Sequence, residues 1–300
     1  MKRAFTLIEI IFVLVIIGIL AAIGSEILFK IYENKLIAQA TQIASDKTRL
    51  ALENIAKRLS FRVPDSEVAR KSSDFSDVIP LTSLVSDHDI LEWIGKSSES
   101  MIGEWNGSYY IPGYSEFVDI NDSNTNHDQI ATPGSHLSHA QDIIYALSYG
   151  SIDLNSTTSE VGLIFKGGIH SGDHLSAFNW EYDNDTSDDE VYRVRATDDT
   201  TLRFVTTKPD EVYEQYYLAW TAYALVPEKN SNGDYNLTLY YDYRPWMGEK
   251  YSDGRSAVLI SNITRFKFKK VDRALEIGLC AFHKVTSDFN VTFCGKKVVF

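Results

Sequence analysis

The sequence predicts an α+β chain: one long N-terminal α-helix, its first half a transmembrane span, packed on a β-rich, mainly antiparallel globular head. Three observations carry that prediction. An apolar run of 19 residues, broken by one carboxylate, extends from Phe5 to Ile23 directly after Met1-Lys2-Arg3-Ala4. Apolar positions then recur at three- and four-residue spacing as far as Leu59. Beyond Asp142, short stretches rich in β-branched and aromatic residues follow one another between turn signals, in a chain with 17 Tyr and 15 Phe.

As a helix, the run of 19 residues measures about 28 Å, close to the roughly 30 Å hydrocarbon core of a bilayer. Glu9 is the anomaly within it. A carboxylate in hydrocarbon costs about 2.5–3.5 kcal/mol, so it calls for a partner. A basic leader before an apolar stretch also describes a secretory signal peptide, here with Ala21, Ala22 and Gly24 near its end, or a plain single-pass anchor. Neither of these needs a Glu at the fifth place counted from Phe5, and neither explains so short a leader. The amphipathic pattern carries the helix on to Val63, where Pro64 ends it.

Lys2-Arg3-Ala4, then Phe5-Thr6-Leu7-Ile8-Glu9, then an Ile/Leu/Val/Ala run, resembles the N-terminus of type IV pilins and type II secretion pseudopilins. The resemblance implies that a prepilin peptidase cuts between Ala4 and Phe5 and that the new amine of Phe5 is methylated. It also implies that Glu9 is the assembly carboxylate, pairing with the Phe5 amine of a neighbouring subunit as helices bundle in a filament core. Such pairing offsets the burial cost. The domains implied are a leader 1–4, a helix 5–63 with its membrane or filament-core part at 5–25, and an exported head 64–300. Two positions depart from the family pattern. Ala4 stands where Gly is usual, and Glu26 stands where many major pilins carry a helix-kinking Pro, which predicts an unkinked helix and a minor subunit.

The formal net charge is −12, unevenly spread: residues 5–64 carry +2, 65–254 carry −22 and 255–300 carry +6. So acidic a body opposes general binding to nucleic acid, whose affinity comes mostly from neutralising phosphates. A basic C-terminal part beside it reads either as a surface that complements a neighbouring subunit or as ordinary solvated surface. Cys280 and Cys294 are the two cysteines. Many pilins have a C-terminal disulfide-bounded loop, and the resemblance implies one here at 280–294, formed in the oxidising compartment that receives the head.

Along the head, residues 65–150 read as loops with short strands, of which Leu91-Glu92-Trp93-Ile94 is the clearest. Gly95-Lys96-Ser97 is not a phosphate-binding loop, because Ile90 stands where that loop needs Gly. Strands are predicted at 143–148, 161–166, 191–196, 202–207, 216–226, 237–243, 258–263 and 266–271. Asn232-Gly233 marks a hairpin between the strands on either side of it. Arg265, Lys267 and Lys269 alternate with Phe266 and Phe268, giving one basic and one apolar strand face. The stretch 237–268 resembles the late part of larger minor pilins and of the J-type minor pseudopilin.

Asp183, Asp185 and Asp188 lie in a run dense in oxygen ligands and are calcium candidates, although Asp188 occupies the place an EF-hand loop gives to Gly. A solvated acidic loop is the plainer reading. Asp119, Asn121, Asp122 and Asp128 form a weaker cluster of the same kind. His136 with His139, and His170 with His174, fall among loop-forming residues, where helical spacing has no force, and no catalytic motif appears. The sequence thus predicts a structural subunit, minor, priming or tip, of a type IV pilus or type II secretion pseudopilus. It is inserted in the inner membrane with its head in the periplasm, then assembled with other pilins through an inner-membrane platform. No cofactor is required. A pilus-tip adhesin or DNA-uptake pilin is the alternative.

Overall fold

The computed structural model describes residues 7–81, 87–167, 173–182, 190–286 and 289–300. Helix α1 (Leu7–Leu59) runs for 53 residues, about 80 Å at 1.5 Å per residue. Its last turn carries Lys57 and Arg58, cations at the negative end of the helix dipole. It stops short of the boundary expected at Val63 because the sheet captures the backbone there. Val63 N–H donates to the Ile94 carbonyl at 2.8 Å, and Arg62 bridges to Gly95.

Three strands follow, β1 (Val68–Lys71), β2 (Asp74–Pro80) and β3 (Ile90–Gly95). The chain then builds a second lobe from α2 (Ser98–Ile102), the small hairpin β4 (Glu104–Trp105) and β5 (Tyr110–Ile111), β6 (Gln129–Ala131), α3 (Leu137–Leu147), β7 (Gly162–Phe165), α4 (His174–Ala177), β8 (Tyr192–Asp198), β9 (Thr201–Phe204) and β10 (Tyr216–Ala219). It returns with β11 (Thr221–Lys229), β12 (Tyr235–Tyr243), β13 (Arg255–Val271), β14 (Ala274–Lys284) and β15 (Asn290–Val299). The main sheet has the order β15-β14-β13-β12-β11-β3-β1-β2, with antiparallel neighbours, and the second lobe holds β10-β7-β8-β9-β6. Because β3 pairs directly with β11, the whole second lobe is an excursion between two adjacent strands.

Three cores result. One lies between α1 and the inner sheet face, where Leu52, Ile55 and Leu59 meet Trp93, Leu225, Leu239, Phe266, Phe268, Ile277 and Leu279. A second fills the lobe around Ile130, Ile144, Leu163 and Tyr216. The third joins the lobe to the outer sheet face through Ile94, Phe178, Trp180, Ala222 and Tyr243.

The strand expected at 143–148 is instead part of α3. Leu137, Ala140 and Ile144 are its buried positions, and their three- and four-residue spacing is helical. The expected strand 216–226 is two strands in different sheets, parted at Trp220, whereas the two expected at 258–263 and 266–271 are one continuous β13. β14 and β15 match no strand expected from the sequence: the segment expected as a disulfide loop is a hairpin, with Cys280 and Cys294 paired across it.

Candidate functional site

Apolar side chains are normally drawn out of water, so a helix half that packs on nothing marks where a protein meets another phase or another molecule. Every residue of α1 from Leu7 to Lys35 except Gly24 is exposed, including Phe12, Leu20 and Leu28. Between Glu9 and Glu26 this stretch has no charged residue. By length and composition α1 can cross a membrane. Glu9 stands in its first turn, where the helix dipole favours a negative charge. The first ion pair beyond the apolar stretch is Lys30 with Glu26, 3.0 Å apart at i,i+4.

From Ala40 onward the same helix is held by the head. Its buried stripe starts with small residues, Ala40, Ala44 and Thr48, and continues through Ala51, Leu52, Ile55, Ala56 and Leu59. Small side chains let the axis lie close to β14 and β15. Gly295 keeps room for the helix: a Cβ there would come 2.8 Å from Leu52 Cδ1. The disulfide Cys280–Cys294 ties the two strands that support the helix.

Where α1 ends, a charged cluster fastens the chain. Arg62 Nε donates to Glu67, Arg62 Nη1 to the Leu59 carbonyl at 2.8 Å and Nη2 to the Arg273 carbonyl at 2.9 Å. Lys270 Nζ bridges Asp65 at 2.8 Å and Glu67 at 2.9 Å. Burial pushes the Asp65 carboxyl up, but the hydrogen bond and charge of Lys270 outweigh it and hold the group below its usual range. Burial likewise lowers Lys270, and Glu67 and Asp65 more than reverse this.

A second network joins the main sheet to the lobe. Arg70 and Glu92, 1 % and 0 % exposed, pair at 2.5 Å. Arg70 also donates to the carbonyls of Phe75 at 2.6 Å and Trp180 at 2.9 Å, and its guanidinium lies over the rings of Phe75 and Tyr182. The other Glu92 oxygen accepts from Tyr243 at 2.9 Å and Tyr182 at 3.2 Å. Burial and the Glu92 charge push both phenols far above their ordinary value. The sequence reading missed this network. Its one signal was the charge inside Leu91-Glu92-Trp93-Ile94, since an acid in an apolar strand needs a buried partner.

Of the site residues expected from sequence, Ala4 and Phe5 lie outside the described residues, as do Asp183, Asp185, Asp188 and His170. Asp119 and Asp122 accept from the backbone N–H groups of Asn121 and Asn124 two residues on, so each shapes its own turn. Asp128 pairs with Lys208. His136 and His139 are not in a loop as expected: His136 is the N-cap of α3 and His139 sits in its first turn, their rings 5.8 Å apart, with His139 Nδ1 3.7 Å from Glu104. His174 opens the short α4. Among the described residues no group of three or more His, Cys, Asp or Glu side chains is arranged to hold a metal ion.

Residues 1–25 match the family model of the prokaryotic N-terminal methylation motif, a motif typical of type IV pilins and pseudopilins. No curated protein and no solved structure gives a match to the chain.

Proposed function

We propose that this chain, which carries the prokaryotic N-terminal methylation motif at residues 1–25, works as a mechanical subunit of a type IV pilus or type II secretion pseudopilus. The observation that carries the reading is the division of α1. One half is apolar and bare, and the other is locked beneath the head. The bare half stores the subunit in the inner membrane and then packs the filament core, with the head on the periplasmic side. Processing falls between Ala4 and Phe5, and Glu9 sets subunit register by pairing with the methylated Phe5 amine of a neighbour. The motif implies a prepilin peptidase and other pilins as partners. The bulky second lobe, inserted between β3 and β11, favours a minor, priming or tip position, since a repeating shaft leaves little lateral room. The role is structural, not catalytic.

Mass spectrometry of the mature N-terminus, from cells with and without their prepilin peptidase, tests this. A start at methylated Phe5 that depends on the peptidase is expected, together with loss of filament incorporation in Glu9→Ala. An intact Met1, or a cut near Ala22, refutes it.

A further inference from the structure

The main sheet is covered unevenly. α1 lies over the inner face of β13–β15, and the second lobe covers the outer face of β3, β11 and β12 through Phe178 and Trp180. Among the described residues, the outer face of β13–β15 is exposed at Arg265, Lys267, Cys294, Lys296 and Val298. Strand alternation fixes what it shows: Phe266 and Phe268 turn under α1, so Arg265, Lys267 and Lys269 turn outward. Register then sets Arg265 beside Cys280 and Cys294, Lys267 beside Gly278 and Lys296, and Lys269 beside Glu276 and Val298.

Gly278 has no side chain to fill the middle strand, and a trough of about 420 Å³ runs along β14. Its floor is Gly278 and the disulfide; one wall carries the three cations of β13 and the other carries Lys296. Glu276 is the carboxylate in its lining, and it is shared by Lys296 at 2.9 Å and Lys269 at 3.2 Å. Among the described lining residues, Arg265, Lys269 and Lys296 stand with that one carboxylate, an excess of positive charge even before Lys267 is counted, on a chain of net charge −12.

The trough's dimensions select its occupant. Alternate residues on β13 stand about 6.8 Å apart, and the walls, two strand spacings from each other, are about 10 Å apart. One extended chain fits that width, and carboxylates on alternate residues of an extended peptide repeat at the same 6.8 Å or so. Single-stranded nucleic acid instead relies on stacking against aromatic rings. The aromatic residue in the lining, Phe268, is buried beneath α1 and offers no such face. We propose that this trough is a docking groove for an extended acidic peptide segment of a partner protein. The proposal goes beyond the filament reading and stands or falls separately from the processing of the N-terminus.

The test uses the full chain in detergent and a fluorescein-labelled peptide of about twelve residues alternating Glu and Thr, followed by anisotropy. Binding that weakens as salt rises is expected, with at least a tenfold or so loss in the triple variant Arg265→Gln/Lys267→Gln/Lys296→Gln and none in Lys208→Gln, which lies on the second lobe beside Asp128. The three positions are exposed, so an unchanged melting curve separates lost binding from lost fold. Absence of binding, or equal binding by the triple variant, overturns the groove. Tighter binding of an oligothymidylate of equal charge overturns the assignment to a peptide.

Discussion

Replacing Arg70 by Met removes one partner of an ion pair that is at most 1 % exposed. Glu92 would then be left as a buried carboxylate with only the Tyr182 and Tyr243 hydroxyls donating to it, and the Phe75 and Trp180 carbonyls would each lose a donor. Breaking a buried pair from one side costs about 3–5 kcal/mol, most of it the desolvation of the charge left behind. For chains of about 150–250 residues each kcal/mol moves the melting temperature by roughly 2–4 °C, so the expected drop is on the order of 10 °C. The double variant Arg70→Met/Glu92→Met removes both charges together. It should be more stable than the sum of the single losses by about 1–3 kcal/mol, and the excess measures the coupling. Urea and thermal unfolding of the four proteins of the cycle, in detergent, supply the numbers. A loss below about 1 kcal/mol in Arg70→Met, or strict additivity in the double variant, refutes the view that this pair fastens the lobe to the sheet.

Reducing the disulfide, or replacing both cysteines by Ser, opens a link between residues 14 apart and should cost about 3 kcal/mol, seen as a lower urea midpoint that reductant no longer shifts in the Ser variant. The cluster at the end of α1 makes stability depend on pH at both extremes. Asp65 is held below its ordinary value of 3.8, so its contribution is present above that value and lost as the pH falls through the lower folded one. Lys270 is held above its ordinary 10.5, so its contribution is present below that value and lost as the pH rises through the higher folded one. Lys270→Met should flatten both limbs of a stability-against-pH curve, and an unchanged curve would show that the cluster carries no net stability.

What could be read in advance was whatever a short window of sequence encodes. The apolar run, Glu9 and the three-and-four spacing through Leu59 are local, and α1 follows from them. Asn232-Gly233 made its hairpin, with Gly233 at φ +85 as such a turn requires, and the alternation 265–269 put Phe266 and Phe268 inward. Where two periods compete, the strand pattern misleads. Ile143-Ile144-Tyr145 looks like a strand until Leu137 and Ala140, which precede Ile144 at helical spacing, are counted with it. β15 was hidden because only alternate residues of it are even partly buried, and half a pattern at a sheet edge resembles a polar loop.

The return of the chain from Ala219 to pair Thr221 with Gly95 was not legible at all, because no local signal marks two strands as neighbours across an inserted lobe. That unreadable pairing has physical consequences for the head. It places Arg70 and Glu92, on strands that precede the excursion, against Trp180 and Tyr182 from within it and Tyr243 from after it. The buried pair therefore joins three stretches of chain that meet only in the finished fold. An acid and a base that are each costly alone become satisfied together only once β3 and β11 are in register, so they disfavour any other pairing of those strands. The same pairing confines the lobe to one end of the outer sheet face, and Arg265, Lys267 and Lys296 of β13 and β15 are exposed beyond its edge.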